Sequence, residues 1–288
     1  MTRLSRWLLP CLVSLIATFA LVTFAEEAES PSDLIARADQ AYMTRYLQES
    51  MTEAIALYEA VVPSLDTLSE RTQSYVLDRL SQLCYEAAMF TEENTPEDRE
   101  LFENGKEYGF RSLRLNEDFA ANESKGFADA LAYVTDAAAL HWTANNWGML
   151  GEINPIQGLL HQGSIVALFS RCIEIDRAFW GGSAASALGS LLIMLPGPMG
   201  GDDEAGLALI EESLLLDPSY LHNRIILAEY WGFTYNYFGQ LNGLRDAELI
   251  ERETGIILDA EVGDWPFWNR HAKVEAERLL RLLSERTD

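Results

Sequence analysis

An all-α fold built from repeated helix pairs is what this 288-residue sequence predicts, and three observations carry the prediction. First, one phrase recurs: Leu113-Arg114-Leu115-Asn116-Glu117-Asp118-Phe119, Ile173-Glu174-Ile175-Asp176-Arg177-Ala178-Phe179, Leu214-Leu215-Leu216-Asp217-Pro218-Ser219-Tyr220 and Ile257-Leu258-Asp259. Its polar residue falls at 116, 176, 217 and 259, so the last two intervals are 41 and 42 residues, the period of a helix-pair solenoid. Second, apolar residues recur at helical spacing through most of the chain. Third, no stretch sustains the apolar-polar alternation of a half-buried strand, so strands are not expected. The recurring phrase has a mechanical sense. Aliphatics two apart close a helix against its partner, Asp or Asn caps the next helix, and the aromatic three residues on packs into the following pair. Tetratricopeptide-like repeats use this device.

The elements follow in order. From Ser32 to Leu47 the apolar set is Leu34, Ile35, Ala38, Ala41, Tyr42 and Tyr46; from Met51 to Val62 it is Ala54, Ile55, Tyr58, Val61 and Val62. These form a first hairpin. Thr67-Leu68-Ser69-Glu70 has the pattern of a capping box and opens a helix to about Phe90. Thr95-Pro96-Glu97 opens the next, with a capping threonine, proline at the first helical position and acids in the first turn; Gly105 and Gly109 interrupt its middle. A long helix from about Lys125 to Trp147 follows, and Asn154-Pro155 starts another that ends near Ile175. Helices from about Gly182 to Leu195, Asp202 to Leu216, Ser219 to Phe238 and Leu244 to Leu258 complete about five antiparallel hairpins. Trp265-Pro266 then precedes a charged C-terminal helix, about Trp268 to Arg286, suited to capping the array.

The N-terminus addresses the compartment. Arg3 and Arg6 precede an uncharged run from Trp7 to Ala25, and Thr23 and Ala25 stand where a signal peptidase reads small residues. Residues 1–25 read as a signal peptide and 26–288 as a single helical repeat domain in the periplasm; the alternative is an uncleaved membrane anchor. Lipid anchoring lacks a good lipobox, because Cys11 follows Pro10 too early in the run. The formal net charge is −24, and the leading run carries two basic residues and no acid, so the remainder is more acidic still. That balance excludes nucleic acid as a partner, which a basic surface must recognise. Cys84 and Cys172 fall within apolar helical patterns; buried thiols are the simpler reading and a disulfide the alternative.

Chemistry-bearing motifs are sparse. The four histidines, His141, His161, His222 and His271, show no pair at ligand spacing on one helix, so no metal or haem is expected. There is no nucleophile elbow, P-loop or dinucleotide fingerprint, and no cofactor or catalytic activity is expected. Three clusters stand apart from the helical background. One is His141-Trp142-Thr143-Ala144-Asn145-Asn146-Trp147-Gly148; the others are Gly181-Gly182 and Gly200-Gly201-Asp202, each at an expected helix start. Glycines at a helix N-terminus cradle an anion or let helices approach closely. Acids in the first turn complement the helix dipole. Tyr230, Trp231, Phe233, Tyr235, Tyr237 and Phe238 crowd nine residues and cannot share one helical stripe; with Trp142, Trp147, Trp180, Trp265, Phe267 and Trp268 they would wall an apolar ligand site or a subunit interface.

Taken in order, Trp142-x-x-Asn145-Asn146-Trp147-Gly148, Asp176-x-x-Phe179-x-Gly181-Gly182, Leu195-Pro196-x-Pro198-x-Gly200-Gly201-Asp202, Asp217-Pro218-x-Tyr220-Leu221 and Leu227-Ala228-Glu229-Tyr230 resemble the T component (TatT family) of tripartite ATP-independent periplasmic (TRAP) transporters. The likeness is densest from Ala137 to Tyr237. It implies an all-helical, tetratricopeptide-like periplasmic protein, a trimer working beside the transporter's solute-binding component, with a groove or pore for an apolar or organic-acid ligand. Trp142, Asn145, Asn146, Trp147, Gly148, Gly181, Gly182, Gly200, Gly201, Asp202 and Tyr230 are the candidate lining residues, indoles supplying apolar walls and amides orienting a polar end. Two other readings stay open. A general envelope scaffold would present an open concave groove, and a helical hydrolase would face two carboxylates into one cleft, drawn from Asp136, Glu152, Asp202 and Asp203.

Overall fold

A computed structural model describes residues 29–236 and 240–287. The expected signal segment lies outside these residues, as do Tyr237 and Phe238 of the aromatic cluster. The helices are α1 (Pro31–Tyr42), α2 (Gln48–Val61), α3 (Glu70–Ala88), α4 (Pro96–Leu113), the short α5 (Glu117–Asn122) and α6 (Phe127–Ala130), α7 (Ala137–Ile153), α8 (Pro155–Ile175), α9 (Phe179–Met194), α10 (Asp203–Leu216) and α11 (His222–Tyr230). A two-stranded antiparallel hairpin, β1 (Phe233–Tyr235) and β2 (Leu241–Leu244), precedes α12 (Ala247–Asp259) and α13 (Pro266–Thr287). The all-α helix-pair solenoid is the observed architecture. Its hairpins are α1/α2, α3/α4, α7/α8, α9/α10 and α11/α12, with α13 packed on the last.

Side-chain caps set the starts. Ser30, Thr95, Asn116, Asp136, Asn154, Asp202 and Asp246 each accept a backbone N–H of the first turn, and proline follows at the first helical position of α1, α4 and α8. The cap of α3 is Ser69, not Thr67: its hydroxyl accepts from Thr72 N, two residues later than the capping-box pattern placed it.

Four other expectations are corrected. The helix expected from Lys125 to Trp147 is broken before residue 137, because Asp136 takes extended geometry and caps α7 through Ala138 and Ala139. The helix expected from Ser219 to Phe238 ends at Tyr230, and strands do occur: Thr234 and the aromatics beside it suit a pleated surface better than a helix, and they pair with Leu241–Leu244. Gly105 and Gly109 do not interrupt α4, which runs unbroken past both. They are where α7 comes closest: a Cβ on Gly105 would lie 2.5 Å from Asn146 Cγ.

The terminal helix expected to cap the array also reaches back across the molecule. Trp268 Nε1 donates to Glu86 Oε1 on α3 at 2.9 Å, across 182 residues. Glu86 is wholly buried and also accepts from Arg45 Nε at 2.6 Å and Gln82 Nε2 at 2.9 Å. The largest core cluster therefore contains both α1–α3 residues and Trp142, Tyr220, Phe267 and Trp268. Cys84 and Cys172 are buried free thiols. Among the described residues no helix is long and apolar enough to cross a membrane.

Candidate functional site

Closure of the solenoid places aromatic side chains from α3, α7, α11 and α13 against one another. Tyr85 stacks on Trp268 with ring centroids 6.1 Å apart and lies 6.0 Å from Trp142. His222 sits 4.8 Å from Trp268 and 6.1 Å from His271. Trp142, Trp268 and Tyr220 are packed solid, whereas Tyr85, His222 and His271 keep part of their surface wet.

The same combination extends along α7 and α11. Glu152 is exposed at the surface, and loss of solvent around its carboxyl, joined by the charges of Glu229 and Glu93, pushes it up to about 7. A carboxylate on an open surface would keep its ordinary value near 4.3. Glu229 is likewise raised by burial, with Arg278 working against the shift. Burial raises the Tyr85 and Tyr230 hydroxyls, and the Glu152 charge raises both further. Burial lowers His222 to about 3, with His271 adding to the effect, so its imidazole is neutral.

Helical geometry separates the sequence-predicted residues. Positions 141, 145, 148 and 152 fall along one stripe of α7, since each is three or four residues from the last. Asn145 donates through Nδ2 to His141 O at 2.8 Å and lies 3.0 Å from His141 Nε2. Gly148 faces open space, a Cβ there meeting nothing within 4 Å. Asn145, Gly148 and Glu152 thus share one stripe, half-buried at the first two and exposed at the third, and the Glu152 charge acts on Tyr230 of α11.

Asn146 turns the other way. It is wholly buried and donates to Ser81 O at 2.9 Å and Trp142 O at 2.8 Å, locking α7 to α3. Trp142 is buried in the core, 5.1 Å edge-on from Trp180. Trp147, about 140° around the helix from Trp142, packs on Phe110 at 5.2 Å and on His161 at 4.9 Å. It borders a separate recess of about 200 Å³ between α4 and the α7/α8 turn, with Glu103, Lys106 and Asn154.

The glycine clusters are structural joints. Trp180, Gly181 and Gly182 adopt φ of 51°, 66° and 75°, three successive left-handed residues that turn the chain into α9. Asn223 Nδ2 donates to Gly181 O at 2.8 Å, and a Cβ on Gly181 would strike Tyr220. Gly200 and Gly201 form the α9–α10 turn, which Gln162 anchors through Met199 O at 2.7 Å, and Asp202 caps α10 through Ala205 N at 3.0 Å.

Tyr85, His222, Glu229 and His271 were absent from the expected lining; Trp268 stood in the expected aromatic wall and Glu152 among the carboxylates considered for hydrolysis. A sequence signal existed for Glu229, which interrupts the apolar run after Leu227-Ala228. For the rest, the contact depends on α13 returning to α3, which local spacing does not encode.

No curated protein matches the chain. The sequence profile of the TRAP transporter T component, TatT, matches residues 72–235, which spans α3 to α11 and more than half of the chain. The chain belongs to the TRAP transporter T-component family.

Proposed function

We propose that the protein is a non-catalytic, periplasmic subunit of a TRAP transport system, a single domain over residues 26–288 that holds or passes an apolar ligand beside the system's solute-binding component. Family membership carries the transport role. The aromatic cluster around Trp268, in which Tyr85, His222 and His271 stay part-exposed, supports the ligand role, because sites for small molecules are mainly apolar with a few placed polar groups. An open scaffold groove accords less well with the Trp268–Glu86 closure.

Three of the carboxylates considered for hydrolysis are committed elsewhere: Asp136 and Asp202 cap helices and Asp203 pairs with Arg245 at 3.0 Å, leaving Glu152 as the fourth. We further propose a homotrimer. Ile156 and Leu160, 73% and 69% exposed at neighbouring positions of α8, offer an apolar face for self-association.

The test is capture of the tagged full chain from native envelope, with bound proteins identified by mass spectrometry. Recovery of a periplasmic solute-binding component supports the reading. A preparation that retains folded chain and its oligomer but no such component would sink it.

A further inference from the structure

The recess beside Trp147 lies apart from the aromatic cluster at Trp268, and three helices shape it. Arg99, Glu103 and Lys106 line it from α4, Trp147 from α7, and Gln157 and His161 from α8. The corner where α7 meets α8 is close-packed, since a Cβ on Gly151 would lie 2.8 Å from Gly158 Cα. At about 200 Å³ the recess is smaller than the roughly 300–1,000 Å³ of sites for drug-sized molecules. It suits a ligand of amino-acid size. Gln157 and His161 stand about 100° around α8 from Ile156 and Leu160, so the recess opens beside the face proposed for self-association and not on it.

Its charges alternate in sign along one stripe of α4, at positions i, i+4 and i+7. Neighbours at such spacing can pair, yet among the described residues none of the three closes an ion pair. Arg99 and Glu103 are exposed and Lys106 is half-buried, so both signs stand open at one recess. Their order is fixed by packing. Gly105 meets Asn146 and Gly109 meets Thr143, so α4 runs antiparallel to α7 and Arg99 comes nearest the α7/α8 corner, with Glu103 and then Lys106 further toward Trp147. At that corner Asn154 caps α8 through the Gln157 N–H at 3.4 Å, and the positive end of the helix favours a carboxylate beside Arg99. Trp147 supplies a fixed aromatic wall: Phe110 and Phe127 hold its ring edge-on at 5.2 and 5.9 Å, and His161 lies 4.9 Å away. A ring already held in place costs little ordering when a ligand packs on it.

We propose that this recess binds a free α-amino acid with an apolar side chain. Its carboxylate lies on Arg99 at the α8 N-terminus, its ammonium on Glu103, and its side chain against Trp147 and the methylene stem of Lys106. The site stands independently of the transport reading, which concerns the cluster at Trp268.

Calorimetric titration of the full chain at neutral pH and low salt tests it, with L-phenylalanine, 3-phenylpropanoate, which lacks the ammonium, and phenethylamine, which lacks the carboxylate. Phenylalanine should bind at least about tenfold more tightly than either, the worth of one charge-assisted contact. Arg99→Gln should weaken phenylalanine by about tenfold and leave phenethylamine unchanged, and Glu103→Gln should weaken phenylalanine equally and leave 3-phenylpropanoate unchanged. Both side chains are exposed, so the fold survives either change. If 3-phenylpropanoate or phenethylamine binds as tightly as phenylalanine, the site reads one charge only and the amino-acid assignment is overturned. Absence of phenylalanine binding overturns it as well, and binding that both variants leave intact overturns its location.

Discussion

Asp78, on α3, is a buried carboxyl beside a second one. Its Oδ2 lies 3.0 Å from the Ser74 hydroxyl, which sits 2.6 Å from Asp136 Oδ2, and its Oδ1 has no partner. Burial, reinforced by the Asp136 charge, raises its ionisation well above the ordinary carboxylate range, so the folded chain holds a proton that the unfolded chain releases. The sign follows: this proton favours folding most below the unfolded carboxylate value near 3.9 and progressively less as pH rises toward the shifted value. Asp78→Asn should therefore leave Tm unchanged near pH 4 and raise it at pH 8, by about 2–4 °C for each kcal/mol recovered. Thermal melts of both chains across that range check it, and a lower Tm at pH 8 would mean that the ionised form is the one held. The adjacent asparagines make a second residue-scale contrast. Asn146→Leu should lose about 2–4 kcal/mol in urea denaturation, since it strips Ser81 O of its donor in the core. Asn145→Leu, on the wetted stripe, should lose less than half of that. The sequence marked both amides as unusual in an apolar helix, but neighbouring residues on a helix point about 100° apart, and only the packing of α3 and α4 decides which faces the core.

At the scale of elements, the joint at residues 180–182 is the most demanding. Gly181 combines a left-handed φ of 66° with a would-be Cβ 2.8 Å from Tyr220 Cβ. Gly181→Ala should cost at least about 2 kcal/mol in denaturant unfolding, the sum of strain and displacement. An effect below about 0.5 kcal/mol would show that the turn relaxes freely. Helix starts were legible because their determinants are local: Thr95-Pro96, Asn154-Pro155 and Asp202 all cap where expected. The hairpin was not. Helical spacing continues formally through Tyr235, and what ends the helix is Gly232, whose carbonyl accepts from Arg245 N and Asp246 N at the far side of the hairpin.

At the scale of the whole molecule, closure depends on α13. Trp268 joins α3 through Glu86, stacks with Tyr85 and Trp142, and is 2% exposed. Trp268→Ala should cost about 3–5 kcal/mol and raise proteolytic sensitivity at both ends of the chain, because it opens a cavity and leaves Glu86 with one donor fewer. A loss confined to α12–α13 would show that closure contributes little. The repeat period made the solenoid legible in the sequence, but a period reports neighbouring hairpins and not how far the array curls. Glu152 illustrates the consequence: the charge of Glu229 on α11 raises it, and its own charge raises Tyr85 on α3. That curling of the array is the central claim, and Glu152 reports on it directly. Carboxyl-detected NMR titration of the full chain, with the resonance assigned by Glu152→Gln, should give a midpoint of about 7. A midpoint near 4.3, the value of a glutamate in open solvent, would contradict that curling.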